Sequence, residues 1–256
     1  MTSPVELQDA WLSVGAPEKA SSVESLTRGL RIVSVLEVGC GTGAVLAELA
    51  RRNVGQEYAA CEPSTEMFDQ ARSRTYGVGV DLRCATFEDS GFADRRWDVI
   101  VLSHVLEHTI DPAALVVMVL AAARYVVIEV PLEGTRTGGV RGLLRQAVTG
   151  RRRTDNAVGH IQFFSAADIH RLVHWSGGEV VRSRTYFPEA TYRHLKNAAT
   201  DWRRSYYSIW LIAHRALGSR LLSHVYYGHF AALIAPRKVN DDRVVPHPLY
   251  WHPLKP

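Results

Sequence analysis

The feature that most constrains the fold of this chain is a short apolar run that leads directly into three closely spaced glycines. The run is Val35-Leu36-Glu37-Val38, and the glycines are Gly39, Gly41 and Gly43. A β-strand suits the apolar run, and glycine allows the backbone to turn tightly and to approach a ligand closely. Helix-favouring residues follow Gly43 and complete a strand–loop–helix unit. We therefore predict an α/β domain that binds a ligand at this loop.

Apolar runs alternate with helix-like stretches from about residue 31 to 189, which is typical of βαβ units and a parallel sheet. The predicted strands are Ile32–Val38, Glu57–Cys61, Val80–Ala85, Trp97–Leu102, Arg124–Val130, Glu179–Tyr186 and, late in the chain, Phe230–Ala235. The predicted helices are Gly43–Arg52, Ser64–Tyr76, Pro112–Ala122 and Ala166–Trp175, the last with Ser165 as its N-cap. The expected fold is a seven-stranded, mostly parallel sheet with helices on both faces.

Three segments lie outside this alternation, and they define the expected domain organisation. We predict a helical N-terminal cap at 1–30, a main domain at 31–236 with insertions at about 133–160 and 189–223, and a tail at 237–256. In open α/β sheets the ligand lies beyond the carboxyl ends of the strands, where segments that follow strands can close over it. The two insertions are therefore expected to determine substrate specificity.

Two carboxylates flank the glycine loop. Glu37 lies immediately before it, and Glu62 ends the second predicted strand. A carboxylate at the end of that strand can accept hydrogen bonds from both hydroxyls of a ribose. The spacing Gly39-x-Gly41-x-x-Ala44 also satisfies the dinucleotide-binding pattern, so an NAD-binding oxidoreductase stays open as an alternative.

Three motifs in fitting order resemble those of the class I S-adenosylmethionine (SAM)-dependent methyltransferase family, of the small-molecule type. They are Glu37-Val-Gly-Cys-Gly-Thr-Gly43, Trp97-Asp98-Val-Ile-Val-Leu-Ser-His-Val-Leu-Glu-His108 and Gly159-His160-Ile-Gln-Phe-Phe-Ser165. The resemblance covers roughly residues 31 to 189. It implies a Rossmann-like fold, SAM as the cofactor and methyl transfer to a small-molecule acceptor.

The resemblance also implies roles for individual residues. Glu37, Gly39 and Gly41 would hold the methionine portion of SAM, Glu62 the ribose, and the region of Thr86 and Phe87 the adenine. The other implied cofactor-binding residues are Cys40, Gly43, Pro63 and Ser103. The sequence departs from the family at Thr86, where members commonly have an acidic residue that accepts from the adenine amino group. Either the Thr86 hydroxyl takes this role or the nearby Glu88 does.

Transfer of a methyl group from a sulfonium is an in-line displacement, so alignment in a dry site supplies much of the rate. A base is needed when the acceptor is an alcohol, and histidine is the natural choice. We predict His160 as the base, with His104 as the second candidate, and we interpret His108 as support for the following helix. Oxygen is the first expected acceptor atom and nitrogen the second.

The run His104-Val-Leu-Glu107-His108 also matches the H-x-x-E-H arrangement of inverted zinc peptidases. Those enzymes carry the motif within a helix and add a third ligand, whereas here it follows an apolar strand. We therefore discount a zinc peptidase, and the sequence predicts no metal site.

Positive charge is concentrated in one of the two insertions. Six arginines and no acidic residue lie between Gly134 and Thr154, and two of them, Arg141 and Arg145, are spaced to share one face of a short helix. Arginine matches carboxylates and phosphates, so these two are the predicted ligands of an anionic acceptor. A solvated loop, an RNA methyltransferase and attachment to an anionic membrane are the alternatives.

The remaining properties of the chain bound its setting. The formal charge of +4 is small for a nucleic-acid-binding protein, and the three cysteines show no paired spacing. We expect a cytoplasmic protein, because no secretory signal or membrane-length apolar run is present in the sequence. The aromatic segment 202–227 is interpreted as a pocket cap or a homodimer contact. A non-catalytic SAM-binding protein on the same fold also stays open.

Overall fold

The protein is described by a computed structural model that covers residues 4–132, 159–225 and 228–237, with side chains described from residue 9 to 132, 159 to 218 and 228 to 237. Nearly all of the predicted insertion at 133–160 and of the predicted tail at 237–256 lies outside these residues.

Seven strands form one sheet in the order β3-β2-β1-β4-β5-β7-β6. They are β1 (Ser34–Val38), β2 (Glu57–Cys61), β3 (Val80–Arg83), β4 (Trp97–Ser103), β5 (Ala123–Pro131), β6 (Gly178–Tyr186) and β7 (His229–Pro236). The strand β7 pairs antiparallel with both β5 and β6, and the other neighbouring strands run parallel. All seven predicted strands are confirmed, with ends that differ by at most two residues.

The described helices are α1 (Pro4–Thr27), α2 (Ala44–Arg51), α3 (Thr65–Ser73), α4 (Pro112–Ala122), α5 (Ala166–Trp175), α6 (Glu189–Ala198) and α7 (Trp202–Val225). The four helices predicted for the main domain are confirmed, although α3 stops before the predicted end at Tyr76 because Arg74 is extended. Ser165 caps α5 as predicted, in a capping box with Asp168. The predicted insertion at 189–223 consists largely of α6 and α7.

The hydrophobic core forms two layers, one on each face of the sheet. Side chains such as Leu36, Ile100 and Ile128 face α4 and α5, whereas Val35, Val99 and Val127 face α1 and α2. The central strands β1 and β4 are almost completely buried, as expected for parallel strands covered on both sides. The strands β3 and β6, at the two edges of the sheet, are partly exposed. Helix packing on both faces therefore fixes where the carboxyl ends of the central strands lie.

The helix α1 is part of the second core layer and not a separate lobe. Its buried residues Ala16, Ala20 and Val23 pack in the same cluster as Leu46 and Leu49 of α2. Further along the chain, α6 and α7 share a smaller cluster around Phe187, Tyr192 and Leu211. In the part of the chain that the structure describes, no helix is long and apolar enough to cross a membrane.

Candidate active site

The glycine loop lies at the carboxyl end of β1 and adopts a backbone that only glycine tolerates well. Gly39, Gly41 and Gly43 have φ values of 66°, 55° and 72°. A Cβ at Gly39 would lie 2.9 Å from Val105 Cγ2, and one at Gly43 would lie 2.1 Å from the Tyr76 hydroxyl. Positive φ at all three positions, and lack of space at Gly39 and Gly43, explain the glycines. The contact with Val105 also brings the loop beside the segment that follows β4.

Glu62, at the end of β2, braces the loop from the other side. Its Oε2 accepts a hydrogen bond of 2.8 Å from the backbone N–H of Gly41, and its Oε1 accepts one of 2.9 Å from that of Ser64. Because each carboxylate oxygen has a second lone pair, these bonds leave Glu62 able to accept from ribose hydroxyls as well. The bracing contact with Gly41 is a role that the sequence did not reveal.

Glu37 lies near the carboxyl end of β1, just before the glycine loop, and is buried. Its side chain is 2% exposed, and burial raises its pKa to about 8, against the opposing effect of Lys19 in α1. Within the described residues, its Oε2 has no hydrogen-bond partner. A buried carboxylate oxygen without a partner is costly, so Glu37 is well placed to receive a cationic or hydrogen-bond-donating group of a ligand.

The helix α1 lies next to the glycine loop. Leu12 Cδ1 lies 3.7 Å from the position that a Cβ of Gly41 would occupy. Arg74 joins the two, because its Nε donates a hydrogen bond of 2.8 Å to the carbonyl oxygen of Thr42 while its guanidinium pairs with Asp9 of α1. The predicted N-terminal cap therefore borders the cofactor side of the site.

Two predicted adenine-binding residues follow β3 and differ in exposure. Thr86 is exposed, and its hydroxyl donates to Asp89 Oδ2 at 2.9 Å. Phe87 is 2% exposed, and its ring packs in the core. The Phe87 ring is therefore not available to stack on an adenine, which leaves its backbone as the group that could contact one. Glu88 is exposed beside them.

The remaining predicted cofactor residues surround the same edge of the sheet. Cys40 is buried within the loop, and burial raises the pKa of its thiol well above the usual value. Pro63 is exposed next to Glu62. Ser103 ends β4, and its Oγ is buried without a hydrogen-bond partner among the described residues. The structure thus gathers all predicted cofactor residues along the ends of β1 to β4.

His104 follows β4 directly, in a backbone conformation that is rare for a residue other than glycine. Its φ is 60°, and its N–H donates a hydrogen bond of 2.9 Å to the carbonyl oxygen of Glu129. Left-handed backbone at a non-glycine residue costs energy and is held by its surroundings. This conformation turns the imidazole toward β5 and β7.

Side chains from four separate parts of the chain meet around this imidazole, and we call them the His104 cluster: His104, Glu107, Glu129, Tyr186 and His229. His104 Nδ1 lies 3.0 Å from Glu107 Oε1, and its Nε2 lies 3.5 Å from Glu129 Oε1 and 3.4 Å from His229 Nδ1. The Tyr186 hydroxyl donates to Glu129 Oε1 at 3.0 Å and lies 3.1 Å from His229 Nδ1. The cluster is a connected polar network inside an apolar sheet.

The pKa values of the cluster diverge because its members share one buried space. Burial alone would lower the pKa of His104, but the adjacent Glu107 and Glu129 raise it. Burial lowers the pKa of His229 to about 4, and burial raises that of Tyr186 well above its usual value. Although burial acts against them, the two histidines lower the pKa of Glu129, and His104 lowers that of Glu107. The buried imidazole of His104 and the carboxylates of Glu107 and Glu129 thus favour one another's charged forms.

His160 and His108 form a second, more exposed group beside Glu107. Their rings are 4.9 Å apart, and the backbone N–H of Ile161 donates to the carbonyl oxygen of Glu107 at 2.8 Å. The interpretation of His108 as support for the next helix is wrong. Asp111 caps α4, and His108 Nδ1 lies 3.3 Å from the carbonyl oxygen of Gly159.

Three members of the His104 cluster, Glu129, Tyr186 and His229, were missed by sequence reasoning. Glu129 carried a weak signal, because it is one charged residue within the apolar strand β5. Tyr186 ends a predicted strand and His229 immediately precedes one, and neither residue carried a signal. The predicted acceptor ligands Arg141 and Arg145 lie outside the described residues, so they remain predictions.

Comparison with known proteins agrees with this arrangement. A family model described as a methyltransferase domain matches residues 7–183. Ubiquinone biosynthesis O-methyltransferase from Methylobacterium nodulans is 33% identical over 95 residues, which are 37% of this chain and 38% of that protein. The protein of the same name from Rhizobium johnstonii is 31% identical over 111 residues, 43% of each chain. The chain thus matches less than half the length of these curated relatives.

Solved structures share the fold at low sequence identity. Magnesium protoporphyrin IX methyltransferase from Synechocystis, with bound SAH, gives a TM-score of 0.56 at 15% identity and covers 92% of this chain and 89% of its own. A SAM-dependent methyltransferase from Thiobacillus denitrificans, in complex with S-adenosyl-L-homocysteine, gives a TM-score of 0.51 at 16% identity, and the match covers 93% of this chain and 100% of that protein. The cyclase SpnF gives a TM-score of 0.58 at 16% identity, and the match covers 87% of this chain and 82% of that protein. These likenesses confirm the predicted Rossmann-like sheet.

Because the family model spans most of the sheet and the glycine loop, the chain belongs to the family of methyltransferase domains.

Proposed function

We propose that this chain transfers the methyl group of SAM to an oxygen atom of a small-molecule acceptor. The observation that carries the proposal is the glycine loop, whose left-handed backbone lies between the carboxylates of Glu37 and Glu62 at the carboxyl edge of the sheet. The names of the matched relatives, which are O-methyltransferases, support oxygen as the acceptor atom.

In this proposal the loop binds the cofactor through backbone and carboxylates. Glu37 receives the methionine portion of SAM, since its buried Oε2 has no partner within the described residues. Glu62 receives the ribose while it holds the N–H of Gly41. The adenine lies near Thr86, Glu88 and the backbone of Phe87. Because Glu62 already holds the N–H groups of Gly41 and Ser64, we expect the loop to change little when the cofactor binds.

We propose His160 as the base that removes the proton from the acceptor hydroxyl. It is partly exposed, and one of its ring nitrogens lies within 4.8 Å of a carboxylate oxygen of Glu107 and of a ring nitrogen of His108. His104 is the weaker candidate, because the adjacent carboxylates raise its pKa and both of its ring nitrogens already face cluster members. A base must be able to reach the hydroxyl of the acceptor, and in this proposal the partly exposed His160 does so.

Four further predictions complete the proposal. The partner is a small-molecule acceptor, which Arg141 and Arg145 would bind if it is anionic. The compartment is the cytoplasm, and a homodimer is one way to cover the exposed apolar residues of α7, such as Trp202 and Ile209. Nitrogen is the second choice of acceptor atom.

The experiment is a parallel calorimetric titration of the chain with SAM, S-adenosylhomocysteine and NAD, followed by transfer of a radiolabelled methyl group to acceptor pairs. Each pair would differ only in a hydroxyl or an amino group at one position. We expect binding of both adenosyl ligands but not NAD, and labelling of the hydroxyl member. Binding of NAD alone would contradict the cofactor assignment, and labelling of only the amino member would contradict the acceptor atom.

A further inference from the structure

We propose that His104, Glu129 and His229 bind a divalent transition-metal ion, Zn²⁺ in the first instance, at the carboxyl ends of β4 and β5. The three residues come from strands that are adjacent in the sheet, and their potential ligand atoms face one another. Two imidazoles and one carboxylate form a ligand set that suits zinc and its neighbours, whereas Mg²⁺ and Ca²⁺ prefer oxygen ligands alone.

Distances between the ligand atoms are the main argument. His104 Nε2, His229 Nδ1 and Glu129 Oε1 are separated by 3.4, 3.5 and 3.6 Å. Good hydrogen bonds are shorter, at about 2.7–3.2 Å. A tetrahedral ion with bonds of about 2.0–2.1 Å holds neighbouring ligand atoms roughly 3.3–3.4 Å apart. The triangle formed by these three atoms is therefore wide for a hydrogen-bonded network. Its size is close to that of the triangle formed by three ligand atoms of a tetrahedral metal ion.

The groups behind the triangle are those that support metal ligands in proteins. A ligating histidine usually directs its second ring nitrogen to a carboxylate, and a ligating carboxylate usually accepts a hydrogen bond. Here His104 Nδ1 lies 3.0 Å from Glu107 Oε1, and the Tyr186 hydroxyl donates to Glu129 Oε1 at 3.0 Å. The Tyr186 contact is a hydrogen bond, so the carboxylate of Glu129 is already oriented. The contact of His104 with Glu107 has the distance of an ion pair without hydrogen-bond geometry, so this support lies close by.

Charge and burial also favour a cation at this position. The side chains of Glu107 and Glu129 are each 1% exposed, and their Oε2 atoms have no hydrogen-bond partner among the described residues. Two buried carboxylates are balanced by one divalent cation and two neutral imidazoles. The nearby helix α1 contributes one basic and one acidic group, Lys19 and Glu18, whose charges oppose each other.

The exposures of the three ligand side chains indicate the side on which the ion would be open to solvent. The side chain of His104 is 20% exposed, whereas those of His229 and Glu129 are 8% and 1% exposed. The fourth position of a tetrahedral ion therefore opens past His104, where water or an acceptor oxygen could bind. Only this last step rests on the proposed function, and the ion site itself stands apart from it.

The test is Co²⁺ binding to the chelator-treated full chain, followed by visible absorption and by competition with Zn²⁺. A Cys84→Ser background removes the exposed thiol, so that thiolate binding does not contribute to the spectrum. We expect one equivalent of four-coordinate Co²⁺ without a thiolate charge-transfer band. Loss of an outer-shell partner weakens metal binding about 10- to 100-fold, so His229→Gln should weaken it by about 100-fold or more.

Matched variants distinguish this site from the second group of His108, His160 and Glu107, whose ligand atoms also lie within 4.8 Å of one another. His108→Gln and His160→Gln should leave Co²⁺ affinity within about threefold of the parent. Failure of the parent to bind the ion, or an equal loss in His160→Gln and His229→Gln, would overturn the proposal. If circular dichroism shows that His229→Gln is unfolded, His104→Gln replaces it with the same expectation. Because SAM is absent from this assay, its result does not depend on whether the proposed function is correct.

Discussion

Around the glycine loop, the groups that face a ligand are mostly backbone atoms held by local conformation, whereas around His104 they are titratable side chains held by one another. The loop is contiguous in sequence and depends on three positive φ angles. The His104 cluster draws on β4, β5, β6 and β7, and on the turn after β4. One half of the site is therefore specified by chain geometry, and the other by charge and packing across the sheet.

This difference predicts how each half should respond to change. Backbone-built sites fail when φ is disturbed and are otherwise robust, because their donors have no charge to lose. Side-chain-built sites respond to loss of a single partner, because a buried polar group is then left unpaired. The four predictions below test this contrast, from the largest expected effect to the smallest.

The largest effect is expected for Gly41→Val. A β-branched residue at a φ of 55° is strained. A change of backbone conformation that relieves the strain also moves the N–H of residue 41, which donates a hydrogen bond to Glu62. We expect SAM binding to become undetectable by calorimetry, a loss of about 100-fold or more. Gly177→Val is the control, because Gly177 also has a positive φ but lies after α5. It should lose stability and keep SAM affinity, and equal loss of affinity in both variants would show that the loop has no special role.

The second effect concerns His160→Ala. Removal of the proposed base should lower the turnover of a hydroxyl acceptor by about 100- to 10,000-fold and leave the dissociation constant of SAM within about twofold. The control is His170→Ala, at an exposed position on α5, which should retain full turnover. Unchanged turnover in His160→Ala would remove this residue as the base.

The third effect is a pH dependence in the cofactor half, which contains the buried carboxyl of Glu37. The folded-state pKa of Glu37 is about 8, above its ordinary value of 4.5, so the chain loses stability as pH rises through this range. Glu37→Gln removes that loss. Its free energy of unfolding should match the parent near pH 4.5 and exceed it by about 4–5 kcal/mol at pH 9. Denaturant titrations at both pH values, with the exposed Glu66→Gln as control, measure this difference. A constant difference across the range would contradict the assignment.

The smallest effect is expected for Tyr186→Phe in the His104 cluster. It deletes the hydroxyl that donates to Glu129 Oε1 and leaves that oxygen with one partner fewer. We expect the free energy of unfolding to fall by about 1–2 kcal/mol, with SAM affinity unchanged. Tyr58→Phe is the counterpart near the cofactor half, where the hydroxyl binds backbone groups of Leu49 and Gly55, and it should lose a similar amount. A loss of SAM affinity in Tyr186→Phe would mean that the two halves are not independent.

Most of the fold was predictable because its signals are local. Each strand is a short apolar run, and the caps of α4 and α5, Asp111 and Ser165, lie directly before the helices that they start. The glycine loop was predictable for the same reason. The early end of α3 was not, since the extended Arg74 is held by Thr42 and Asp9, which are distant in sequence.

The His104 cluster was only partly predictable, for a reason of topology. His104 and Glu107 follow a recognisable strand motif, but His229 joins them only because β7 inserts between β5 and β6. The pairing of Pro131 with His229 places the start of β7 at the carboxyl end of β5. A single sequence contains no local signal for such an antiparallel insertion. The expected absence of a metal site rested on the position of the H-x-x-E-H run after a strand and on the lack of a third ligand, and it stays a prediction that the Co²⁺ titration tests against the proposed site.

The position of β7 also has a consequence for biosynthesis. It is the last described strand to leave the ribosome, yet it fills a place between two strands made earlier. Until it arrives, β5 and β6 each present an unpaired edge, and such edges invite association with other chains. The glycine loop and its helix can form well before that moment, whereas the His104 cluster cannot. A nascent chain would therefore acquire its cofactor loop early and complete the other half of its site last.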